Sequence, residues 1–196
     1  MAAKTVQKAP SAPDTRQRLI DAAVRLFTRH SFAGTSLQMI ADELGITKAA
    51  VYHHFRTREE LLTAVVEPVV AQLRVVIEAA ETKRTPHARA EHMLTGYADL
   101  AVEHRAVTAV LATDAGAIEM LRAQPDISRL VDRQFALLAD VAPGQGGRVT
   151  AAMVLAGIAA AAGPLLCNDE DALRTQLVEA GRRALGLRPP RRPTRS

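Results

Sequence analysis

The sequence predicts an all-α protein built as an N-terminal three-helix helix-turn-helix domain followed by a larger helical domain. Three observations carry that expectation. Apolar residues recur at three- and four-residue spacing through most of the chain. Hydrophobic residues make up 48% of it but aromatics only 3%, which favours helices packed through alanine and leucine over a sheet. No stretch alternates apolar and polar residues with the β-branched enrichment of a strand.

The elements follow in order. Residues 1–13 are rich in Ala, Pro, Lys and Ser, lack periodicity, and read as a flexible basic arm whose Lys4 and Lys8 could reach a polyanion. The first domain is placed at 14–58. Asp14 or Thr15 can cap a helix running through Leu19, Ile20, Ala23, Val24, Leu26 and Phe27 to about Arg29, with Phe32 and Gly34 in the connection. Thr35 and Gln38 have the spacing of a capping box, and Leu37, Ile40, Ala41 and Leu44 form the stripe of a short second helix. Gly45 suits the left-handed residue that ends it, and Thr47 can cap a third helix running to Phe55. Thr57 and Glu60 repeat the capping-box spacing before a long fourth helix that Pro68 should kink.

The body is placed at 59–187. Beyond the fourth helix, which fades near Lys83–Pro86, helices are expected over 86–103, 106–113 and 115–122, and from Pro125 through Leu138. Pro143–Gly147 reads as a loop; it lacks the Lys-Ser/Thr of a phosphate-binding P-loop. Residues 149–168 carry no charge, but they are broken by Pro164, rich in alanine and unflanked by aromatics, so a subunit interface fits better than a membrane span. The helix expected over 169–187 would join it in a four-helix contact between two subunits. The proline-rich tail at 188–196 is expected to stay unfolded.

The outward face of the third helix presents Thr47, Lys48, Tyr52 and His53, whose hydroxyl, ammonium, phenol and imidazole groups bond phosphate oxygens or base edges. Ala49 between them is small enough to approach a thymine methyl. Two short helices hinged at a glycine have the spacing of a helix-turn-helix. Residues 15–66 resemble the N-terminal domain of the TetR family of bacterial transcriptional regulators. The likeness rests on Gly34-Thr35-Ser36, Ile40-Ala41, Leu44-Gly45-Ile46, Val51-Tyr52-His53-His54-Phe55 and Arg58-Glu59-Glu60-Leu61. It implies phosphate contacts from Thr35 or Ser36, Tyr52 and Arg58, and base readout from Thr47, Lys48, Ala49 and His53. His53 stands where the family often has an aromatic residue.

Charge is distributed to match. Residues 1–58 carry +5, 59–181 carry −7 and 182–196 carry +6, a basic end beside an acidic body, as suits a protein that presents one face to a polyanion. Cys167 is the only cysteine, which rules out an intrachain disulfide and reads as a small buried hydrophobe. No hydrophobic leader follows Met1, so a cytoplasmic location is expected. His87, Glu91 and His92 cluster without a fourth ligand, so no metal is assigned, and no catalytic signature or cofactor motif occurs.

Met93, Tyr97, Leu100, His104, Met120 and Phe135 form the candidate small-molecule site, because they come from three expected helices and mix flexible apolar groups with polar tips. The expectation is a homodimeric, sequence-specific DNA-binding regulator, a repressor released from a pseudo-palindromic operator when an effector in the body tilts the fourth helix. An architectural DNA-binding protein without an effector is one alternative; an all-α ligand carrier or enzyme is another.

Overall fold

The computed structural model describes residues 15–163 and 169–187, and among these the chain forms helices and no strand. In order they are α1 (Thr15–Gly34), α2 (Leu37–Leu44), α3 (Lys48–His54), α4 (Arg58–Glu81), α5 (Pro86–Glu103), α6 (Arg105–Thr113), α7 (Ala115–Arg122), α8 (Pro125–Ala139), α9 (Gln145–Ala161) and α10 (Glu170–Leu185). The basic arm, the Asp14 cap, Pro164, Cys167 and the tail lie outside the described residues.

Local chemistry sets the helix ends, with two departures from expectation. The cap of α2 is Ser36, whose Oγ accepts from Met39 N at 3.2 Å, and not Thr35. Gln38 turns outward to Asp42 at 2.7 Å, so no capping box closes. The reason lies four residues before Thr35. Ser31 breaks α1 at φ 64°, ψ 166°, and Thr35 is drawn in beneath the break, donating its hydroxyl to the Ser31 carbonyl at 2.8 Å. Helix α4 runs from Arg58 to Glu81 across Pro68, which lies on the exposed side, where the lost N–H costs least. Second, the expected Pro143–Gly147 loop is shorter. Gly144 turns the chain at φ 85° and α9 already starts at Gln145.

The remaining caps fall where the sequence places them. Gly45 closes α2 at φ 64°, and the hydroxyls of Thr47 and Thr57 accept from Ala50 N and Glu60 N. Each such cap contributes about 1 kcal/mol.

Two apolar clusters hold the helices together. The first joins Leu19, Phe27, Ile40, Val51, Leu61 and Leu62 from α1–α4, and Val110, Ala117 and Leu121 of α6 and α7 reach into it. The second joins Leu73, Ile77, Met93, Leu94, Leu138 and Leu177, gathering α4, α5, α8, α9 and α10. Helix α4 serves both, since Val66 belongs to the first cluster and Val69 to the second. Close helix approach is written in two glycines. A Cβ on Gly96 would come within 2.4 Å of Val76, and one on Gly181 within 2.4 Å of Leu94. Beside Gly181, Arg182 Nε donates to Glu91 Oε1 at 2.8 Å, and that bond holds the guanidinium pKa above its ordinary value.

Candidate nucleic-acid interface and body cavity

The candidate DNA reader is the α2–α3 pair. Gly45 turns the chain left-handed, and Ile46 N donates back to Ala41 O at 3.0 Å, which fixes the angle at which α3 leaves. Val51 is fully buried and Phe55 nearly so, with the Arg16 guanidinium 5.3 Å over the Phe55 ring. These two anchors commit the opposite face to solvent, and Thr47, Lys48, Ala49, Tyr52 and His53 are all exposed. Lys48 Nζ sits 5.5 Å over the Tyr52 ring, and His53 meets His54 edge-on at 5.3 Å.

A surface groove of about 320 Å³ beside this face brings together Thr35, Ser36, Lys48, Tyr52 and Arg58 from three parts of the sequence. Their roles separate. Ser36 accepts a backbone bond and keeps its own O–H to donate outward. Thr35 is 2% exposed with its hydroxyl already donated, so it shapes the turn that presents Ser36. Arg58 donates to the carbonyls of Phe32 at 3.3 Å and Ala33 at 2.8 Å and covers the Phe32 ring at 4.8 Å, so it too braces the turn. Gln38 and Arg56 line the same groove and were missed by the sequence reading. The only signal for them was their position, one on the exposed flank of a helix start and the other beside a cap.

The body encloses a cavity of about 460 Å³ walled by α4 through α9. Of the six residues proposed for it, Tyr97, Leu100 and Phe135 line it. Met93 does not: it sits a turn too early on α5 and is fully enclosed by the second apolar cluster. His104 ends α5 and turns its Nε2 to Gln72 Oε1 at 2.8 Å. Met120 packs on the first cluster, its sulfur accepting from Gln124. Thr108 and Gln134 do line the cavity; they are 4% and 5% exposed, and Thr108 Oγ1 and Gln134 Nε2 lack hydrogen-bond partners among the described residues. Burial pushes the Tyr97 phenol up to about 12, so it stays neutral. The signal for Gln134 was a polar side chain at a stripe position of α8, four residues after Leu130.

Among the described residues no three His, Cys, Asp or Glu side chains gather as for a metal, and Glu91 of the weighed cluster is taken by Arg182. Nor is any helix among them long and apolar enough to cross a membrane.

Comparison with known proteins bears on the reader first. The family model described as bacterial regulatory proteins, tetR family, matches residues 19–65. The HTH-type transcriptional regulator AcrR of Shigella flexneri is 40% identical over 67 residues, 34% of this chain and 30% of that protein. The HTH-type transcriptional regulator SrpR of Pseudomonas putida is 45% identical over 65 residues, 33% of this chain and 29% of that protein. The chain thus spans less than a third of the length of either relative. The likeness of the whole fold is wider. The crystal structure of SCO3833, a TetR transcriptional regulator family member from Streptomyces coelicolor, matches at a TM-score of 0.69 and 19% identity, covering 93% of this chain and 94% of that one.

Proposed function

We propose that the chain is a member of the TetR family of bacterial regulatory proteins and a sequence-specific DNA-binding transcriptional regulator, a homodimeric repressor released by a small molecule. One observation carries the reading. A capped, glycine-turned helix pair leaves Lys48, Ala49, Tyr52 and His53 exposed on one face while Val51 and Phe55 are buried on the other. Such a face fits a major groove, with Ser36, Gln38, Tyr52 and Arg56 on phosphates and Lys48, Ala49 and His53 at base edges.

Two readers on one face of B-DNA must sit about 34–36 Å apart, one helical turn. A dimer joined through α9 and α10 supplies the second reader, and a pseudo-palindromic operator follows from its two-fold symmetry. The cavity supports regulation because Val66, Val69 and Val70 of α4 form part of its wall, and the same helix carries Leu61 and Leu62 in the reader's core. An effector that fits the cavity best in one tilt of α4 shifts the population to that tilt and moves the readers off register.

The test is a gel shift with the DNA flanking the protein's own gene, with unrelated DNA as competitor. Specific retardation that falls steeply with added salt is the expected result. Equal affinity for flanking and unrelated DNA would overturn the reading.

A further inference from the structure

The chemistry of the body cavity narrows what can occupy it; the argument rests on the reading that this cavity is the effector site. Its wall is aliphatic and alanine-rich, relieved by Tyr97, Phe135, Thr108 and Gln134. No carboxylate lines it, and its one charged side chain, Arg122, is exposed at the rim. A cation inside would be buried without a counter-charge, and an anion would find one only at the rim, beside the solvent-screened Arg122; burying either charge deeper costs more than the apolar contact returns.

The interior polar groups are uncharged and not spent on the protein. Gln134 Nε2 is a donor with no acceptor and Thr108 Oγ1 lacks a partner, both more than nine-tenths buried on the cavity wall. Leaving such atoms orphaned is a standing cost that a ligand oxygen can remove. An amide N–H asks for an acceptor, and the acceptor that an otherwise apolar, neutral molecule most simply offers is a carbonyl. The two groups come from α8 and α6, so one ligand bridging them would couple both helices.

We propose that this cavity recognises an uncharged, predominantly apolar carbonyl compound, its oxygen accepting from Gln134 Nε2–H with Thr108 Oγ1 as the second polar contact. The size is that of a typical small-ligand pocket, which spans ~300–1,000 Å³.

The full chain is titrated with prodan, a neutral aryl ketone whose emission moves to the blue on leaving water. The bound dye is then competed off with methyl nonyl ketone, decanoate and decyltrimethylammonium, chains of matched length. A saturable blue shift is expected, with the ketone binding at least about tenfold more tightly than either ion. By calorimetry, Gln134→Met and Thr108→Val, both near-isosteric, should each weaken the ketone roughly tenfold. Decanoate or the ammonium binding as tightly as the ketone would overturn the neutral class while leaving the cavity a ligand site. Unchanged ketone affinity in Gln134→Met would overturn the carbonyl contact. No binding of the dye or of any of the three chains would overturn the effector-site reading itself. Should either variant fail to fold, the selectivity of the unaltered protein still decides the class.

Discussion

The main-chain N–H of Phe32 donates to the carboxylate of Asp114, tying the break in α1 to the junction of α6 and α7. The other oxygen of that carboxylate caps α7 through Ala117 N at 3.0 Å. The break needs such support. Ser31 sits at φ 64°, ψ 166°, a conformation that costs a non-glycine residue about 1–3 kcal/mol. Thr35, Arg58 and Asp114 all bond the residues around it. Thr108 and Leu111 before Asp114, and Ile118 and Leu121 after it, wall the cavity. Hydrogen bonds at Asp114 thus join the cavity-lining helices α6 and α7 to the turn before α2, and we propose a second route between cavity and DNA-binding face here, beside α4.

Asp114→Ala should accordingly lower stability by about 2 kcal/mol, through a lost helix cap and an orphaned Phe32 N–H. Asp114→Asn keeps an acceptor and should cost about half as much. Urea denaturation gives the first readout. Gel shifts with and without an inducing compound give the second, where Asp114→Ala should bind operator yet respond less to ligand. An unaltered midpoint and response would remove Asp114 from the route.

On the reader face, Arg56→Ala, Tyr52→Ala and Lys48→Ala should each weaken operator binding. If the first two contact one phosphate each, the slope of log affinity against log salt should fall by ~0.9 per lost charged contact for Arg56 and stay constant for Tyr52. Lys48→Ala should also relax base preference at one position of each half-site. Arg58→Ala should instead act by loosening the turn at Phe32 and Ala33, so it should lower stability as well as affinity.

Helix positions and most caps were legible because Thr47, Gly45 and Thr57 each do one local job at a fixed offset. Thr35 was misread because its hydroxyl answers to a strained residue four positions back, and strain at Ser31 leaves no mark in composition or period. The reader face was legible for a similar reason: a seven-residue helix with Val51 and Phe55 as anchors has one way to face. The cavity was half legible. Period places Tyr97 and Leu100 on one side of α5 but cannot tell at which turn the helices separate, and that decides against Met93 and for Gln134.

Two adjacent glycines test how the α8–α9 turn is built. A Cβ on Gly147 would lie 2.0 Å from the Ala142 carbonyl oxygen, backbone that cannot move without shifting the turn. One on Gly146 would meet nothing within 4 Å. Gly147→Ala should therefore destabilise by about 2 kcal/mol or more. Gly146→Ala should be neutral or stabilise by up to ~1 kcal/mol through helix propensity. Thermal melts of the pair decide; equal effects would mean the turn is not packed as described.

Acid should loosen the join of α4 to α8. Arg133 donates to both oxygens of Glu81, at 2.9 and 2.7 Å, and holds that carboxyl below its ordinary value of 4.5. A depressed folded pKa means stability that is present above 4.5 and lost as pH falls through the lower folded value. Both side chains are about two-fifths exposed, so the contribution is screened and small. Glu81→Gln should remove it, leaving a melting temperature that falls less between pH 5 and pH 3 than that of the unaltered protein. Parallel acid limbs would place the stabilisation elsewhere.

The face that should join two subunits is the outer side of α9. Val149 and Met153, one turn apart, are 52% and 68% exposed, and the exposed Gly157 and Ala160 continue the strip without a charge. An apolar strip of this length marks an interaction surface, and small residues let a second helix come close. Met153→Asp puts a charge at its centre and should give a monomer by light scattering at micromolar concentration. Operator affinity should then fall by ~10²–10⁴, the avidity lost when each reader binds its half-site alone. Val75→Asp is the control, because Val75 is likewise a large exposed apolar residue, at 64%, but stands on α4 and not on α9. It should leave both mass and affinity unchanged. A Met153→Asp protein that stays dimeric would move the interface to another surface, and with it the spacing of the two readers.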